Sequence, residues 1–489
     1  MSQIRIQNLT FAYNSATPIL QNATAHLNSE WIGLVGENGS GKSTLLKLIL
    51  SQIKADSGSI FIEPPSAAIH YCEQELFSLN LANTLAQDSA SAGNIWEFAL
   101  DYESKAGKLR SLLKLEIEML ERWQTLSSGE RKRWQVGAAL NAECDILLLD
   151  EPANHLDVES QELLLKGLKE YKGLGIVISH NRNLLDSLTK ATLRISHEKL
   201  HFYNLPYSEA KIVWEAELSE QAQEREIARK QLRNMKRKLQ ESRENLEQGK
   251  SRYKKDKAKG DSDSRAITAV NIANWAETRG SKNISILRNE VEKTESNLPQ
   301  NENERELGRS VFMEYEECPK KYVLVGEKIT LARGEHLHLQ GENGSGKTTL
   351  IRHLLNRTTT PLEKLLVLPQ EHSKEDICEL ISKVKNLNNK ILGRVMNILA
   401  ALGSPASILE NGNSISPGEA RKLHLAFGMG NFVWALILDE PTNHLDLPSI
   451  ERLENALAVF PGALLLVCHD LEFAKKCCST VWKLSTFSK

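Results

Sequence analysis

Short apolar runs that end in glycine or an acidic residue recur along the chain and predict buried strands. The runs IGLVG and HLHLQG end in glycine and precede LLKLIL and LIRHLL, whose apolar residues have helical spacing. The runs ILLLD and LILD end in aspartate. Short apolar strands that alternate with helices are typical of an α/β fold with a parallel sheet.

The middle of the chain has a different pattern. From about 208 to 300 the apolar residues are sparse and helically spaced, as in Ala228, Leu232, Met235, Leu239 and Leu246. This spacing predicts a helix over about 210–248, roughly 60 Å long at 1.5 Å per residue. The following GKSRYKKDKAKGDSDSR has no apolar period and predicts a loop. A second helix over about 266–298 would return antiparallel and complete a coiled-coil hairpin; its apolar positions include Ile284, Leu287, Val291 and Leu298.

Four motifs occur twice, in the same order. GENGSGKST recurs as GENGSGKTT, LSSGE as ISPGE, ILLLDEPANHLD as LILDEPTNHLD, and VISH as LVCH. The last three pairs keep a constant offset of 289 residues, whereas the first pair is offset by 305. A constant offset over most of the repeat indicates a duplicated domain. We therefore predict domains at 1–207 and 301–489, joined by a helical linker at 208–300.

The glycine-rich motif that follows an apolar run and opens a helix predicts a phosphate-binding loop. Backbone N–H groups of such a loop surround phosphates, and the helix N terminus adds a favourable dipole. Lys42 and Lys347 would reach the β and γ phosphates, and Ser43 and Thr348 would offer hydroxyls to Mg²⁺. The alternative is a glycine-rich turn that binds nothing, which two copies in one context disfavour. The loops comprise Gly36, Glu37, Asn38, Gly39, Ser40, Gly41, Lys42, Ser43 and Thr44, and Gly341, Glu342, Asn343, Gly344, Ser345, Gly346, Lys347, Thr348 and Thr349.

Two adjacent acids follow each aspartate-ending strand. Asp150 and Asp439 end their strands at the carboxyl edge of the sheet, where ligands bind in open α/β folds. We expect both to hold Mg²⁺ through water. Glu151 and Glu440 would orient or deprotonate the attacking water. Adjacent acids at a strand end are often merely solvated, but the upstream phosphate loop favours the catalytic interpretation.

LSSGE and ISPGE resemble the signature sequence of ATP-binding cassette (ABC) proteins, and DEPxNHLD in two cassettes of one chain resembles the ABC-F family. The resemblance covers about 1–205 and 310–489. It implies that Tyr13 stacks on adenine, with Tyr315, or else Tyr322, as its counterpart; a buried turn aromatic is the alternative for each. It also implies that Gln74 and Gln370 meet Mg²⁺ and that His180 and His469 lie near the γ-phosphate.

The resemblance further implies ATP and Mg²⁺ as cofactors and a monomer whose two cassettes pair head to tail. Each ATP would lie between one phosphate loop and the other cassette's signature, and ATP would close this clamp. Site one would combine Lys42, Ser43, Gln74, Asp150, Glu151 and His180 with Ser416, Gly418 and Glu419. Site two would combine Lys347, Thr348, Gln370, Asp439, Glu440 and His469 with Ser127, Gly129 and Glu130.

The departures from the family pattern touch no phosphate, metal or water ligand. Ala153 stands where threonine is usual, Pro417 replaces a small residue of the second signature, and Asn181 stands where aspartate is commoner. We therefore expect both sites to hydrolyse ATP, site one more slowly.

Composition changes the picture only when charge is mapped by position. The formal net charge is −2, with 61 Lys or Arg and 63 Asp or Glu, which by itself does not suggest nucleic acid. Residues 221–260 hold 14 Lys or Arg and 6 Asp or Glu, a net of +8, which leaves −10 on the other 449 residues. Solvated ion-paired faces are the alternative, but the acids are too few to pair with most cations. A basic linker predicts contact with RNA phosphates.

The ABC-F resemblance makes the ribosome the expected partner, at the tRNA exit site, with the linker directed at the peptidyl-transferase centre. The candidates for contact with ribosomal RNA or tRNA are Arg252, Tyr253, Lys254, Lys255, Lys257 and Lys259. The short spacing between each Gln and the signature serine leaves little room for an extra arm, and such a compact chain resembles members that protect ribosomes from antibiotics. A housekeeping translation factor stays open as the alternative.

Other classes are disfavoured by what the chain lacks. It has no apolar run near the roughly 18–20 residues that span a bilayer, and we expect no secretory leader at its N terminus. The fused tandem without membrane segments and the basic hairpin disfavour an ATPase subunit of a membrane transporter. Its seven scattered cysteines form no CxxC pair, which argues against zinc and iron–sulfur sites and against DNA-repair or chromosome-organising ATPases. We expect a reduced, cytoplasmic protein without membrane contact.

Overall fold

The structure, a computed structural model, divides into two units. The first contains 1–210 and 304–489, and the second contains 211–303. The residues that the structure describes are 2–14, 17–73, 90–142, 144–154, 156–256, 282, 284–294, 312, 314–326, 329–341, 345–369, 372–409 and 415–484.

The first cassette is built on a mostly parallel sheet and a smaller antiparallel sheet. The parallel sheet has the order β5-β6-β7-β3-β8-β9, in which only β9 runs antiparallel to its neighbour. The second sheet has the order β2-β1-β4. The strands are β1 (Gln3–Asn14), β2 (Thr17–Leu27), β3 (Trp31–Gly36), β4 (Ser57–Glu63), β5 (Ile69–Cys72), β6 (Ile146–Asp150), β7 (Leu174–Ile178), β8 (Ala191–Ser196) and β9 (Lys199–Tyr203).

The helices of the first cassette connect these strands. They are α1 (Lys42–Ile49), α2 (Ala90–Leu100), α3 (Ser104–Leu112), α4 (Ser128–Asn141), α5 (Val158–Leu168) and α6 (Arg182–Leu188), with a 3₁₀ helix at Ile117–Thr125. In the parallel register, Asp150 pairs with Ile178 while Leu34 pairs with the same Ile178 from the other side. The ends of β3, β6 and β7 therefore share one edge of the sheet, where the phosphate loop and the acids lie.

The second cassette repeats this plan, with fewer strands among the residues that the structure describes. Its parallel sheet has the order β13-β14-β15-β12-β16, and β10 and β11 form a separate antiparallel pair. The strands are β10 (Tyr322–Val325), β11 (Thr330–Ala332), β12 (His336–Gln340), β13 (Leu365–Leu368), β14 (Ala435–Asp439), β15 (Ala463–Val467) and β16 (Thr480–Lys483). The helices are α8 (Lys347–Arg357), α9 (Lys374–Lys385), α10 (Asn389–Ala401), α11 (Pro417–Gly430), α12 (Leu447–Ala458) and α13 (Leu471–Cys477), with 3₁₀ turns at Leu362–Lys364 and Ala406–Leu409.

The central strands are apolar because they are buried inside each cassette. Every residue of β6, β7 and β15 is buried, as expected for strands in the middle of a parallel sheet. Each cassette has its own apolar core of leucine, isoleucine and valine side chains around these strands. The predicted fold of two α/β cassettes in tandem is confirmed.

The helix that leaves the first cassette is longer than predicted. It is α7 (Tyr207–Asp256), 50 residues, or about 75 Å at the usual rise. The predicted loop that begins at Gly249 is therefore wrong over 249–256. Lysine and arginine have high helix propensity, and no glycine or proline stands between Gly249 and Asp256, so a helix there needs no apolar stripe.

The rest of the linker is described only in part. Residues 284–294 are helical, within the predicted second helix, whereas 266–281 and 295–298 lie outside the described residues. The antiparallel hairpin stays a prediction. In the part of the chain that the structure describes, no helix is both long and apolar enough to cross a membrane.

Candidate nucleotide sites

The first phosphate loop connects β3 to α1. Gly41 precedes α1 in the left-handed conformation, φ 96°, which favours glycine. The Lys42 ammonium is buried and donates hydrogen bonds to the carbonyl oxygens of Gly36 (2.9 Å) and Glu37 (3.0 Å). Burial lowers the pKa of Lys42, and the carboxylates of Glu151 and Asp446 oppose that shift. The loop therefore holds a buried cation against its own carbonyl oxygens, and that positive charge suits a polyphosphate.

The second phosphate loop, between β12 and α8, has the same local geometry. Gly346 has φ 92°, and Lys347 Nζ donates to the carbonyl oxygen of Gly341 at 2.6 Å. Burial lowers the pKa of Lys347, opposed by Glu440 and Asp439. The predicted residues Glu342, Asn343 and Gly344 lie outside the described residues.

Each loop places its hydroxyl against the strand-end aspartate. Ser43 Oγ donates to Asp150 Oδ2 at 2.8 Å, and Thr348 Oγ1 donates to Asp439 Oδ2 at 3.0 Å. Hydroxyl and carboxylate oxygens are the ligands that Mg²⁺ prefers, so the donor set fits this ion. Gln74 and Gln370, the other predicted metal ligands, lie outside the described residues. In site one the Tyr71 hydroxyl also donates to Asp150, at 3.4 Å.

In site one the predicted general base, Glu151, contacts His180. Glu151 is buried, and its carboxylate accepts from the backbone N–H of His180 at 3.2 Å. His180 Nε2 lies 3.2 Å from the other carboxylate oxygen. Burial raises the pKa of Glu151 to about 7, and burial lowers the pKa of His180 to about 3. A buried carboxylate with a raised pKa beside a neutral imidazole can accept a proton from water.

Site two repeats this pair. Glu440 Oε2 accepts from the backbone N–H of His469 at 3.4 Å, and His469 Nε2 lies 3.4 Å from Oε1. Burial raises the pKa of Glu440 to about 7 and lowers that of His469 to about 4. The buried Arg421 of α11 donates to the Glu440 carbonyl oxygen, which fixes the backbone there.

The signature serines cap helices in both cassettes, and among the described residues Ser416 lines the same cavity as the nucleotide loops. Ser416 accepts from the N–H of Glu419 while the Glu419 carboxylate accepts from the N–H of Ser416, a capping box. Ser127 and Glu130 form the same box at α4. Ser416, Pro417 and Gly418 line the cavity described below, whereas none of its described lining residues comes from the N terminus of α4. The pairing of Ser127, Gly129 and Glu130 with site two stays a prediction.

One cavity of about 1200 Å³ connects the two sites. It is lined by both phosphate loops, both strand-end acid pairs and both histidines. The cassettes meet directly at site one, where Asn38 N–H donates to Asp446 at 2.5 Å and Asn38 Nδ2 donates to the His444 carbonyl oxygen at 3.0 Å. Asp157 of the first cassette is correspondingly close enough to Lys347 and His469 to interact electrostatically.

Asp446 and Asp157 were missing from the sequence-predicted site. Each caps the helix after its acid pair, Asp446 through Ser449 N–H and Asp157 through Ser160 N–H. Burial opposes ionisation of Asp446, but hydrogen bonds from Ser449 and Asn38 lower its pKa. The repeat of NHLD in both copies is the sequence signal that could have found them.

Tyr13, predicted to stack on adenine, lies at the tip of the first hairpin and lines the cavity. The β1–β2 hairpin pairs Ile4 with Leu27 at the end next to β3 and Asn14 with Thr17 at its tip. The tip therefore reaches the edge of the sheet that carries the phosphate loop. Tyr13 is 59% exposed, lines the cavity and lies 3.4 Å from the Thr44 hydroxyl.

The proposed counterpart Tyr315 is wrong. Its ring packs against Phe432 and Phe460, and it lines a small cleft with Gly334 and Trp434, which precede β12 and β14. Tyr315 therefore lies at the amino edge of the sheet, opposite the phosphate loop, as a half-buried aromatic that packs against the core.

Tyr322, the other candidate, pairs with Ala332 beside the same edge. The tip of this shorter hairpin carries no aromatic residue in its sequence, VGEKIT.

The predicted RNA contacts fall at the end of α7 or beyond it. Arg252, Tyr253, Lys254 and Lys255 lie in the last turns of α7, and Lys257 and Lys259 lie outside the described residues. Their role stays a prediction.

Comparison with known proteins agrees with this geometry. The ABC transporter family profile matches 20–154 and 326–443. The chain is 27% identical to the ribosome protection protein VmlR of Bacillus subtilis, over 97% of this chain and 85% of that protein. It is 28% identical to the probable ATP-binding protein YheS of Escherichia coli K12, over 92% and 74% respectively.

A further relative is the ATP-binding protein Uup of Buchnera aphidicola from Schizaphis graminum, 27% identical over 99% of this chain and 81% of that protein. Among solved structures, the fold is similar to the archaeal ribosome recycling factor aABCE1 in complex with the stalk protein aP1. That match has a TM-score of 0.57 and 16% identity, over 97% of this chain and 87% of the other.

Proposed function

The chain belongs to the ABC transporter family and is an ATPase of the ABC-F group, and on this premise we propose that it is a ribosome-associated translation factor. The observation that carries the proposal is α7, a 50-residue helix that ends in a cluster of basic residues. The likeness to a ribosome protection protein over nearly the whole chain supports the same partner.

The charge distribution supports RNA as the contacted surface. The net charge is +8 over 221–260 and −10 on the rest of the chain, so the excess positive charge that would attract RNA phosphates is concentrated in the linker. We propose that the linker, 208–300, is directed at the peptidyl-transferase centre while the cassettes, 1–207 and 301–489, occupy the tRNA exit site. Arg252, Lys254, Lys255, Lys257 and Lys259 would contact phosphates, and Tyr253 would stack on a base.

ATP would close the two cassettes and hydrolysis would release them. At site one the ATP triphosphate would lie between the first phosphate loop and the N terminus of α11, which line the same cavity. The N–H groups and dipole of that helix N terminus favour anions. We propose that Mg²⁺ is held there by Ser43, Gln74 and Asp150 and at site two by Thr348, Gln370 and Asp439. The chain would act as a monomer, because both halves of the clamp are in one polypeptide.

The specific role we propose is protection of the ribosome from antibiotics bound near the peptidyl-transferase centre, which the name of the Bacillus relative supports. A general translation factor is the second candidate. It is favoured by relatives of equal identity that are named only as ATP-binding proteins.

The ribosome proposal is tested by sedimentation. The Glu151→Gln/Glu440→Gln protein should bind ATP without hydrolysing it and sediment with ribosomes in ATP but not in ADP. Retention in the supernatant in ATP at moderate salt would contradict the proposal.

Resistance is tested separately, by expression in a drug-sensitive host challenged with macrolides, lincosamides, pleuromutilins and phenicols. Protection against at least one class supports the specific role. Unchanged inhibition by all four, for a protein that still sediments with ribosomes, supports the general factor.

We also expect both sites to hydrolyse ATP, site one more slowly. Replacing one general base lowers turnover at its site by about 10²–10⁴-fold, so each single variant isolates the other site. Single-turnover hydrolysis by Glu440→Gln should be slower than by Glu151→Gln. Equal rates would remove the asymmetry.

A further inference from the structure

A buried ionic network joins the two cassettes beside site one. Arg182, the first residue of α6, is 5% exposed, and its Nη1 donates to Glu454 Oε1 of α12 at 2.7 Å. Its Nε lies 3.8 Å from Glu451 of the same helix. Lys476 of α13 donates to the second Glu454 oxygen at 3.0 Å, and the Tyr207 hydroxyl of α7 donates to Glu451 at 3.0 Å.

Such a network specifies position more than it adds stability. Moving two charges out of water costs about as much as their attraction returns, so a buried pair is often no more stable than an apolar one. Removing one partner leaves the other charge uncompensated. Arg182 and Glu454 come from different cassettes, so the pair is satisfied only in the arrangement of the cassettes seen here.

Arg182 is close in the chain to the catalytic pair. It stands two residues after His180, whose N–H and ring face Glu151. Asn181, the residue between them, is also held by hydrogen bonds. Its N–H donates to Ser179 Oγ at 3.1 Å, and its Nδ2 donates to Gln161 at 2.8 Å. A displacement of Arg182 would therefore also move the backbone of His180.

The partner helix α12 contacts site one at a second point. Its N-cap Asp446 accepts from Asn38 in the first phosphate loop, and Glu451 and Glu454 follow one and two turns later. Helix α12 thus contacts both the phosphate loop and the loop that holds His180.

The second cassette has no equivalent. At the constant offset of 289 residues, the position in the second cassette that corresponds to Arg182 is Leu471. The position in the first cassette that corresponds to Glu454 is Leu165. The network is therefore specific to site one, and its Tyr207 belongs to the first turn of the helix that leads into the linker.

We propose that Arg182 is a positioning residue that couples docking of the second cassette, through Glu454, to the placement of His180 against Glu151. The hydrogen bond from Tyr207 to Glu451 connects the first turn of α7 to the same network. Site one is thereby coupled to the helix that leads into the linker. The proposal rests on the assignment of Glu151 and His180 to hydrolysis and is independent of the ribosome.

The test measures each site alone, without ribosomes. Arg182→Met is placed in the Glu440→Gln background, which reports site one, and in the Glu151→Gln background, which reports site two. A misplaced catalytic group costs up to about 10²-fold. We expect site-one kcat to fall at least about tenfold, with KM for ATP changed less than about threefold and site two changed less than about twofold.

Charge exchange separates positioning from a general loss of structure. Arg182→Glu/Glu454→Arg should restore part of the site-one kcat that either single change removes. Tyr207→Phe, which removes one hydroxyl, should lower site-one kcat alone and by a smaller factor. Lys190→Ala is the matched control, because Lys190 pairs with Glu30 at the opposite edge of the same sheet and should leave kcat unchanged.

Three results would overturn the proposal. They are an equal loss at both sites, a change in KM instead of kcat, and normal site-one turnover in Arg182→Met. If the charge-exchange variant is unfolded, as its melting temperature would show, the effect of Tyr207→Phe on site-one kcat decides whether the proposal holds. Normal turnover of Glu151→Gln at site one would instead refute the catalytic assignment itself.

Discussion

Glu151 and Glu440 both occupy the left-handed region of backbone space, each with φ of 49°. This conformation is uncommon for residues other than glycine and persists only where neighbouring contacts enforce it. Here the enforcing contacts are hydrogen bonds from Glu151 N–H to the Ile178 carbonyl and from Glu440 N–H to the Val467 carbonyl. The turn directs each carboxylate at its histidine, so the same strain in both copies supports the same role.

Tyr13 gives a residue-scale prediction for nucleotide affinity. Stacking of a base on an aromatic ring contributes about 1–3 kcal/mol, so Tyr13→Ala should weaken ATP binding at site one by about 5- to 150-fold. Tyr13→Trp should retain the affinity, because it keeps an aromatic face. Titration with a fluorescent ATP analogue measures both.

Tyr322→Ala is the control for this prediction, since Tyr322 lies at the other edge of its sheet. Equal losses in Tyr13→Ala and Tyr322→Ala would mean that neither tyrosine stacks on the base.

His424 gives a prediction for acid stability. Its Nδ1 lies 2.9 Å from His372 Nε2, and burial, followed by the charges of His372 and Lys383, lowers the pKa of His424 to about 4. Between pH 6.5 and 4 the unfolded chain therefore binds more protons than the folded one, and the free energy of unfolding falls as the pH falls. From pH 6.5 to 5 this histidine accounts for a loss of about 1–2 kcal/mol.

Urea unfolding at several pH values tests this, with His424→Gln as the comparison. The variant should lose less stability than the wild-type chain over the same pH range. Parallel pH dependence of the two proteins would show that His424 is not the titrating group.

At the scale of elements, the shared edge of the sheet was the predictable part of the site. The apolar runs that end in Gly36 and Asp150 predict strands whose carboxyl ends hold the site residues. The repeated motif predicts the same position for Asp439. Sequence could not show at which edge of the second sheet Tyr315 lies, because that depends on packing against Phe432 and Phe460. Nor could apolar periodicity reveal helix over 249–256, where helix propensity alone continues α7.

Two capping boxes allow a matched prediction about helix α11. Ser416 caps α11 in the nucleotide cavity, and Ser373 caps α9 in the same way but does not line that cavity in the described structure. Replacing a cap serine with alanine costs about 1 kcal/mol, so both alanine variants should lose similar stability to denaturant.

Their ATPase activities should differ. Ser416→Ala should lower turnover severalfold, because the N terminus of α11 faces the first phosphate loop, while Ser373→Ala should leave turnover unchanged. Equal activity of the two variants would indicate that the second signature does not act on ATP.

At the scale of the whole molecule, contacts between distant parts of the chain are what sequence reasoning missed. The Arg182–Glu454 pair joins residues 272 positions apart, and Asn38 reaches Asp446 across 408. A local pattern cannot reveal such pairs, because nothing in the sequence around one residue identifies its distant partner. Charge, by contrast, was visible once it was mapped by position, since +8 is concentrated in forty residues and −10 is spread over the others.

That concentration gives a prediction about salt. Each phosphate contact by a cation contributes about 0.7–0.9 to the slope of log affinity against log salt. The triple variant Arg252→Gln/Lys254→Gln/Lys255→Gln should therefore bind ribosomes with a slope shallower by about two, when sedimentation is measured in ATP over a range of potassium concentrations. The matched control removes three lysines of α9, Lys374, Lys383 and Lys385, which belong to the second cassette. If both triple variants change the slope equally, ribosome binding depends on overall charge and not on the linker.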